Sequence, residues 1–128
     1  DGVANQTFID LGGKAVEGYM FTDFFDSTNP PSKTSADVVA FHEKVTGNKE
    51  MNSFTALGAD TYNVLVAAMN RCDDPTNSVC VNNEIKKTKN FDGVSGLITI
   101  DKSGNASRSA VIKEIKDGKA GYKATVNP

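Results

Sequence analysis

Few side chains in this sequence of 128 residues have the types and spacing that chemistry requires. The single histidine, His42, is the ordinary choice for a general base near neutral pH. It shares a helical stripe with Val38, Phe41 and Val45, so it reads as a satisfied, partly buried histidine and not as a base. Asp23/Asp26 and Asp73-Asp74 are paired carboxylates, but each pair sits among turn residues, where aspartate serves local hydrogen bonding. Asp101-Lys-Ser-Gly-Asn105 is faintly like a calcium loop. Its glycine comes too early, however, and no glutamate closes it, so a hairpin turn is the better reading. Asn5-Gln-Thr7 and Asn105-Ala-Ser107 match the glycosylation sequon, a pattern that arises often by chance. A Gly-x-Ser-x-Gly elbow, a glycine-rich phosphate loop and a His-Glu-x-x-His pair are all missing. The sequence thus names no catalytic residue, no metal ligand and no cofactor motif.

Cys72 and Cys80 flank a short polar loop that includes Asp73, Asp74 and Pro75. A disulfide across that loop fits an exported protein, and two unrelated free thiols fit a cytosolic one. A zinc site is short of ligands, because the histidine lies far off in sequence.

The elements that would position these groups follow from periodicity. Residues 4–11 read as a short helix stopped by Gly12-Gly13, and the aromatic-rich residues 17–25 as a strand. Asp26 to Thr34 is a proline-stiffened connector. Ser35 is the expected cap of a helix over 36–46, with Asp37 in its first turn and Val38, Phe41, His42 and Val45 as its buried stripe. A second helix spans 54–71. Its run Val64–Met69 is apolar all round, which calls for cover on more than one face. Val81, Ile85 and Thr88 fit a third helix that ends near Asn90. Leu97–Ile100, Ala110–Ile115 and Tyr122–Val126 read as strands, turned at Asp101–Asn105 and Asp117-Gly118.

Composition excludes several classes. A net charge of −2, with fourteen basic residues scattered among sixteen acidic ones, does not suit nucleic acid or an anionic membrane. Six residues is the longest apolar run, too short to span a bilayer. The chain opens on Asp1 without an initiator methionine and reads as a processed, truncated or cleaved product. What these features define is an α/β piece with an ordinary globular composition.

Four segments, in order, resemble the last third of the Leu/Ile/Val-binding protein family, the type I periplasmic binding proteins. They are Asp1-Gly-Val-Ala with Ala15–Thr22, then Ala56–Leu65, then Asn90–Asp101, then Lys102–Ala106. Phe91-Asp-Gly-Val-Ser-Gly96 followed by the Asp101–Asn105 turn is the most specific part. The resemblance implies the C-terminal part of a two-lobed α/β fold, its helices and short strands completing both lobes. Residues 1–24 and 108–128 would belong to the second lobe and 28–106 to the first, with crossings near Asp23–Ser27 and Ser107–Lys113.

It further implies capture of a branched-chain or similar amino acid in the bacterial periplasm, without chemistry, and delivery to an ABC permease at the inner membrane. The precursor would carry a signal peptide. A sensory module of the same fold is the alternative, and an unrelated enzyme a third. Asp1 falls where the family has an acidic residue for the ligand ammonium group, a charge-assisted hydrogen bond in a closed cleft. Phe54 aligns with an aromatic residue that covers the ligand side chain, its other reading being an ordinary core phenylalanine. An exported protein also favours the Cys72–Cys80 disulfide. Groups that grip the ligand carboxylate would lie upstream, so the expected partners include the upstream part of the same protein, or a second copy of the chain.

Overall fold

In the computed structural model, residue 3 and residues 5–128 are described. Asn5 opens α1 (Gln6–Gly12) by accepting the Phe8 amide at 2.8 Å, and a 3-10 turn (Gly13–Val16) follows. β1 (Met20–Asp23) is shorter than the expected strand, because Glu17 and Gly18 form a turn and Phe24 and Phe25 leave the sheet. Next come α2 (Lys33–Thr46), α3 (Ser53–Met69) and α4 (Ser78–Lys86). Strands β2 (Phe91–Gly93), β3 (Gly96–Ile100), β4 (Ala106–Ser107), β5 (Ala110–Lys116) and β6 (Lys119–Val126) complete the chain.

Two antiparallel sheets result, in the orders β1-β5-β6 and β2-β3-β4. β1 pairs with β5 so that Met20 faces Glu114 and Asp23 faces Val111. The β5–β6 hairpin turns at Asp117-Gly118, both at positive φ (50° and 72°), the pairing a two-residue hairpin loop demands. Asp101 closes the β3–β4 turn by accepting the Asn105 and Ser103 amides, each at 2.8 Å. Those bonds, the Asn105 amide first, hold its carboxyl below the ordinary value of 3.8. The hairpin reading of that segment is therefore the observed one.

Each sheet has its own core. Ile9, Phe21 and Ile115 pack together between α1 and the first sheet. Phe25, Met51, Ala56 and Val94 form the second cluster, with Val38 and Val39 against it.

Two expectations for α2 are corrected. Its cap is Ser32, which accepts the Ser35 amide at 3.2 Å, and not Ser35. The helix starts as soon as the chain clears Pro30-Pro31, which cannot themselves lie inside it. The inward stripe is buried Ser35 with half-buried Val38, Val39 and His42, one turn nearer the N-terminus than expected, while Phe41 and Val45 are each 66% exposed. Spacing defines a stripe, but docking against Phe25 and Val94 chose which one. His42 is half-buried, with Nδ1 3.1 Å from the Asn48 carbonyl, in keeping with a satisfied histidine.

α4 is capped by Asn77, whose side chain accepts the Val79 and Cys80 amides. It ends at Lys86, so Thr88 and Asn90 lie beyond the helix expected to hold them. Cys72 and Cys80 form a disulfide, Cα atoms 6.1 Å apart, tying the end of α3 to the first turn of α4. Arg71 reinforces the same joint by donating to Glu84 Oε2 and to the Glu84 carbonyl, both at 2.9 Å. Lys87 and Arg71 hold the Glu84 carboxyl below its ordinary value. Replacing both cysteines by alanine should lower the unfolding free energy by about 2–3 kcal/mol, from the unfolded chain's regained loop entropy. Urea unfolding of the two forms checks this, and equal midpoints would refute it.

Candidate functional site

The chain passes between its two sheets twice, at neighbouring places. The first passage leaves β1 at Asp23, and by Phe25 it is already in the other core. The second runs from β4 to β5 through Arg108 and Ser109 alone. Because Asp23 faces Val111 in the β1–β5 pair, the passages lie side by side.

Charged groups are buried here. Lys113 Nζ lies 3.1 Å from Asp23 Oδ2 and 3.4 Å from Asp26 Oδ2, with the three side chains 15%, 1% and 7% exposed. Asp23 Oδ1 accepts the Phe24 amide, and Asp26 Oδ1 accepts the amide and hydroxyl of Thr28. The local-turn reading of these aspartates is thus observed, but it was only half of their role.

Arg108 stands over the Phe24 ring, 4.4 Å from its centroid, and Nη1 donates to Ser95 Oγ at 3.3 Å. Burial lowers the Arg108 pKa from its ordinary value, and the Asp60 carboxylate opposes that shift. Asp60 is buried on α3, between Ala56 and Val64 on the same stripe. Its oxygens accept the Val94 amide at 2.5 Å, the Ser95 amide at 3.0 Å and the Ser95 hydroxyl at 2.6 Å. One carboxylate therefore caps the tight β2–β3 turn, in which Gly93 faces Gly96. Gly93 must lack a side chain, since a Cβ there would stand 2.6 Å from Asp60 Oδ1. Gly96 is at φ 113°, a region that favours glycine.

A cleft of about 400 Å³ opens at this junction, with Phe24, Pro31, Ser32, Asp92, Ser109 and Asn127 in its walls. It draws on segments attached to both sheets. A second, apolar groove of about 390 Å³ runs along α3, where Leu57, Val64 and Leu65 meet Ile85, Ile98 and Ile100. Val64 and Leu65 of the α3 apolar run line this groove. His42, the sole imidazole, engages the Asn48 carbonyl and lines neither cleft.

Of the residues singled out from the sequence, Asp1 lies outside the described residues. Phe54 occupies the first turn of α3, beside the cap Asn52, and its ring is 61% exposed. It is not a core phenylalanine, and it lines neither cleft. Asp60, Arg108 and Lys113 went unnoticed. Asp60 did leave a signal: an acidic residue at a position where the helical period of Ala56, Val64 and Ala68 calls for an apolar one.

Comparison with known proteins fits this architecture. The sequence profile described as periplasmic binding protein matches residues 2–120. A leucine-binding protein, LivK, from Thermotoga maritima is 34% identical and superposes with a TM-score of 0.90, over 100% of this chain and 36% of the other. The substrate-binding protein LivJ from Streptococcus pneumoniae, solved with isoleucine, has 21% identity, a TM-score of 0.82 and the same coverages of 100% and 36%. A solute-binding protein from R. palustris, solved with benzoate, has 19% identity and a TM-score of 0.73 over 100% and 34%. At those lower identities the likeness concerns the fold alone. No curated protein matches the chain. The chain spans about a third of the length of the solved structures it matches.

Proposed function

The chain belongs to the periplasmic binding protein family, and on that premise we propose that it completes both lobes of a protein that captures a branched-chain or similar amino acid. The single observation that supports this most is its 34% identity, over its whole length, to a leucine-binding protein. On this reading residues 1–24 and 108–128 belong to one lobe and 28–106 to the other. The pairing of β1 with β5 and β6, apart from β2-β3-β4, supports the division. The solute is held between the lobes in the periplasm and handed to an ABC permease. The rest of the two-lobed protein packs on the apolar groove of α3 and supplies the groups that grip the solute carboxylate. Asp1 pairs with the solute ammonium group, and Phe54 covers its apolar side chain.

Calorimetric titration of the full-length protein with L-leucine, L-isoleucine and L-valine tests this reading. Saturable binding of at least one is the expected result, and heats no larger than dilution for all three would overturn it. Phe54→Ala should weaken that binding by about 1–2 kcal/mol through lost apolar cover. Because the ring is largely exposed, thermal stability of the solute-free protein should hardly change. A lowered melting temperature with unaltered affinity would contradict the role given to Phe54.

A further inference from the structure

We propose that Arg108 and Lys113 are positioning residues that pin the two chain passages into one pivot and thereby control solute affinity without touching the solute. The inference rests on the reading of this chain as part of a two-lobed solute-binding protein. Both cations belong to the second passage and its strand, and each is anchored on the first. Arg108 stacks on Phe24, and Lys113 is shared by Asp23 and Asp26. Arg108 is also tied through Ser95 to Asp60, deep in the body carrying the second sheet. Lys113 pairs with Phe21 in the regular β1–β5 ladder, and the register shift next to it lies on the other side of β5, in the pairing with β6.

The physics follows from burial. An ammonium placed between two nearly inaccessible carboxylates cannot leave without stranding like charges away from water. The two passages therefore move together, and any change in the angle between the sheets is confined to a few flanking torsions. A pivot so constrained keeps the population of binding-competent orientations high. Loosening it spreads that population, and apparent affinity falls in proportion to the competent fraction lost. Solute selectivity is untouched, since no contact to the solute changes.

Lys113→Met in the full-length protein tests the idea, with Lys113→Arg as the conservative variant and the exposed Lys33→Met as control. Dyes carried by non-canonical residues at Lys44 and Lys119, one on each body, report the distribution of inter-body distances by single-molecule energy transfer. Lys113→Met should broaden that distribution in the solute-free protein and weaken L-leucine binding roughly three- to tenfold. The order of preference among L-leucine, L-isoleucine and L-valine should stay the same. Lys113→Arg should restore most of both properties, and Lys33→Met should alter neither. A lowered melting temperature with unchanged distribution width and affinity would make Lys113 a mere structural brace and overturn the proposal. Should the parent protein bind none of the three amino acids, the functional reading fails, while the distance distribution still decides the pivot.

Discussion

Asp60→Ala should lower the unfolding free energy by about 3–5 kcal/mol, because it leaves the buried Val94 and Ser95 amides and the Ser95 hydroxyl without their acceptor. Each orphaned buried donor costs about 1–3 kcal/mol, and alanine's better helix propensity returns only about half a kilocalorie. The Arg108 guanidinium also loses the neighbouring negative charge. Asp60→Asn keeps one acceptor oxygen and should cost less. Urea unfolding gives the values, and a loss below about 1 kcal/mol for the alanine variant would mean that water replaces the carboxylate freely. Gly93→Ala sharpens the test. Its Cβ would meet Asp60 Oδ1 at 2.6 Å and Ile98 Cδ1 at 2.8 Å, an overpacking worth about 1–3 kcal/mol. With Asp60 already truncated, part of that clash is gone, so the double variant should lose less than the sum of the two. Additivity within about 0.5 kcal/mol would show that the two residues do not interact.

Phe25→Ala should be comparably severe, at about 3–5 kcal/mol. Its ring is 1% exposed and packs with Met51, Ala56 and Val94, so truncation leaves a void under the first passage. Phe41→Ala is the contrasting case. With 66% of that residue exposed, its loss should fall within about 0.5 kcal/mol. Parallel melts of the two variants separate them. A costly Phe41→Ala beside a mild Phe25→Ala would restore the helical stripe first expected from spacing and reject the observed one.

Much of this protein is written in local sequence. Periodicity marked α2, because a buried stripe repeats every three to four residues wherever the helix lies, and a long apolar run marked α3. Asp117-Gly118 announced a hairpin and Asp101–Asn105 a turn, since those conformations depend on a few adjacent residues. The Cys72–Cys80 pairing was legible as one of two readings, the loop between them being short and polar. The tight β2–β3 turn lay within the recognised Phe91–Gly96 segment, though what holds it did not. Tertiary structure decided the rest. β2 and β4 have three and two residues, too few for any period to show. Which stripe of α2 turned inward depended on the core that holds Phe25 and Val94, and Val94 comes from far along the chain. Asp60 makes sense only once the Val94-Ser95 turn arrives beneath it from more than thirty residues away. Lys113 meets Asp23 and Asp26 only when β5 pairs with β1. Propensity and turn chemistry act over a few residues, so they can be read along the chain. Buried charges take their partners from whatever the fold carries to them, and only folding brings those partners together.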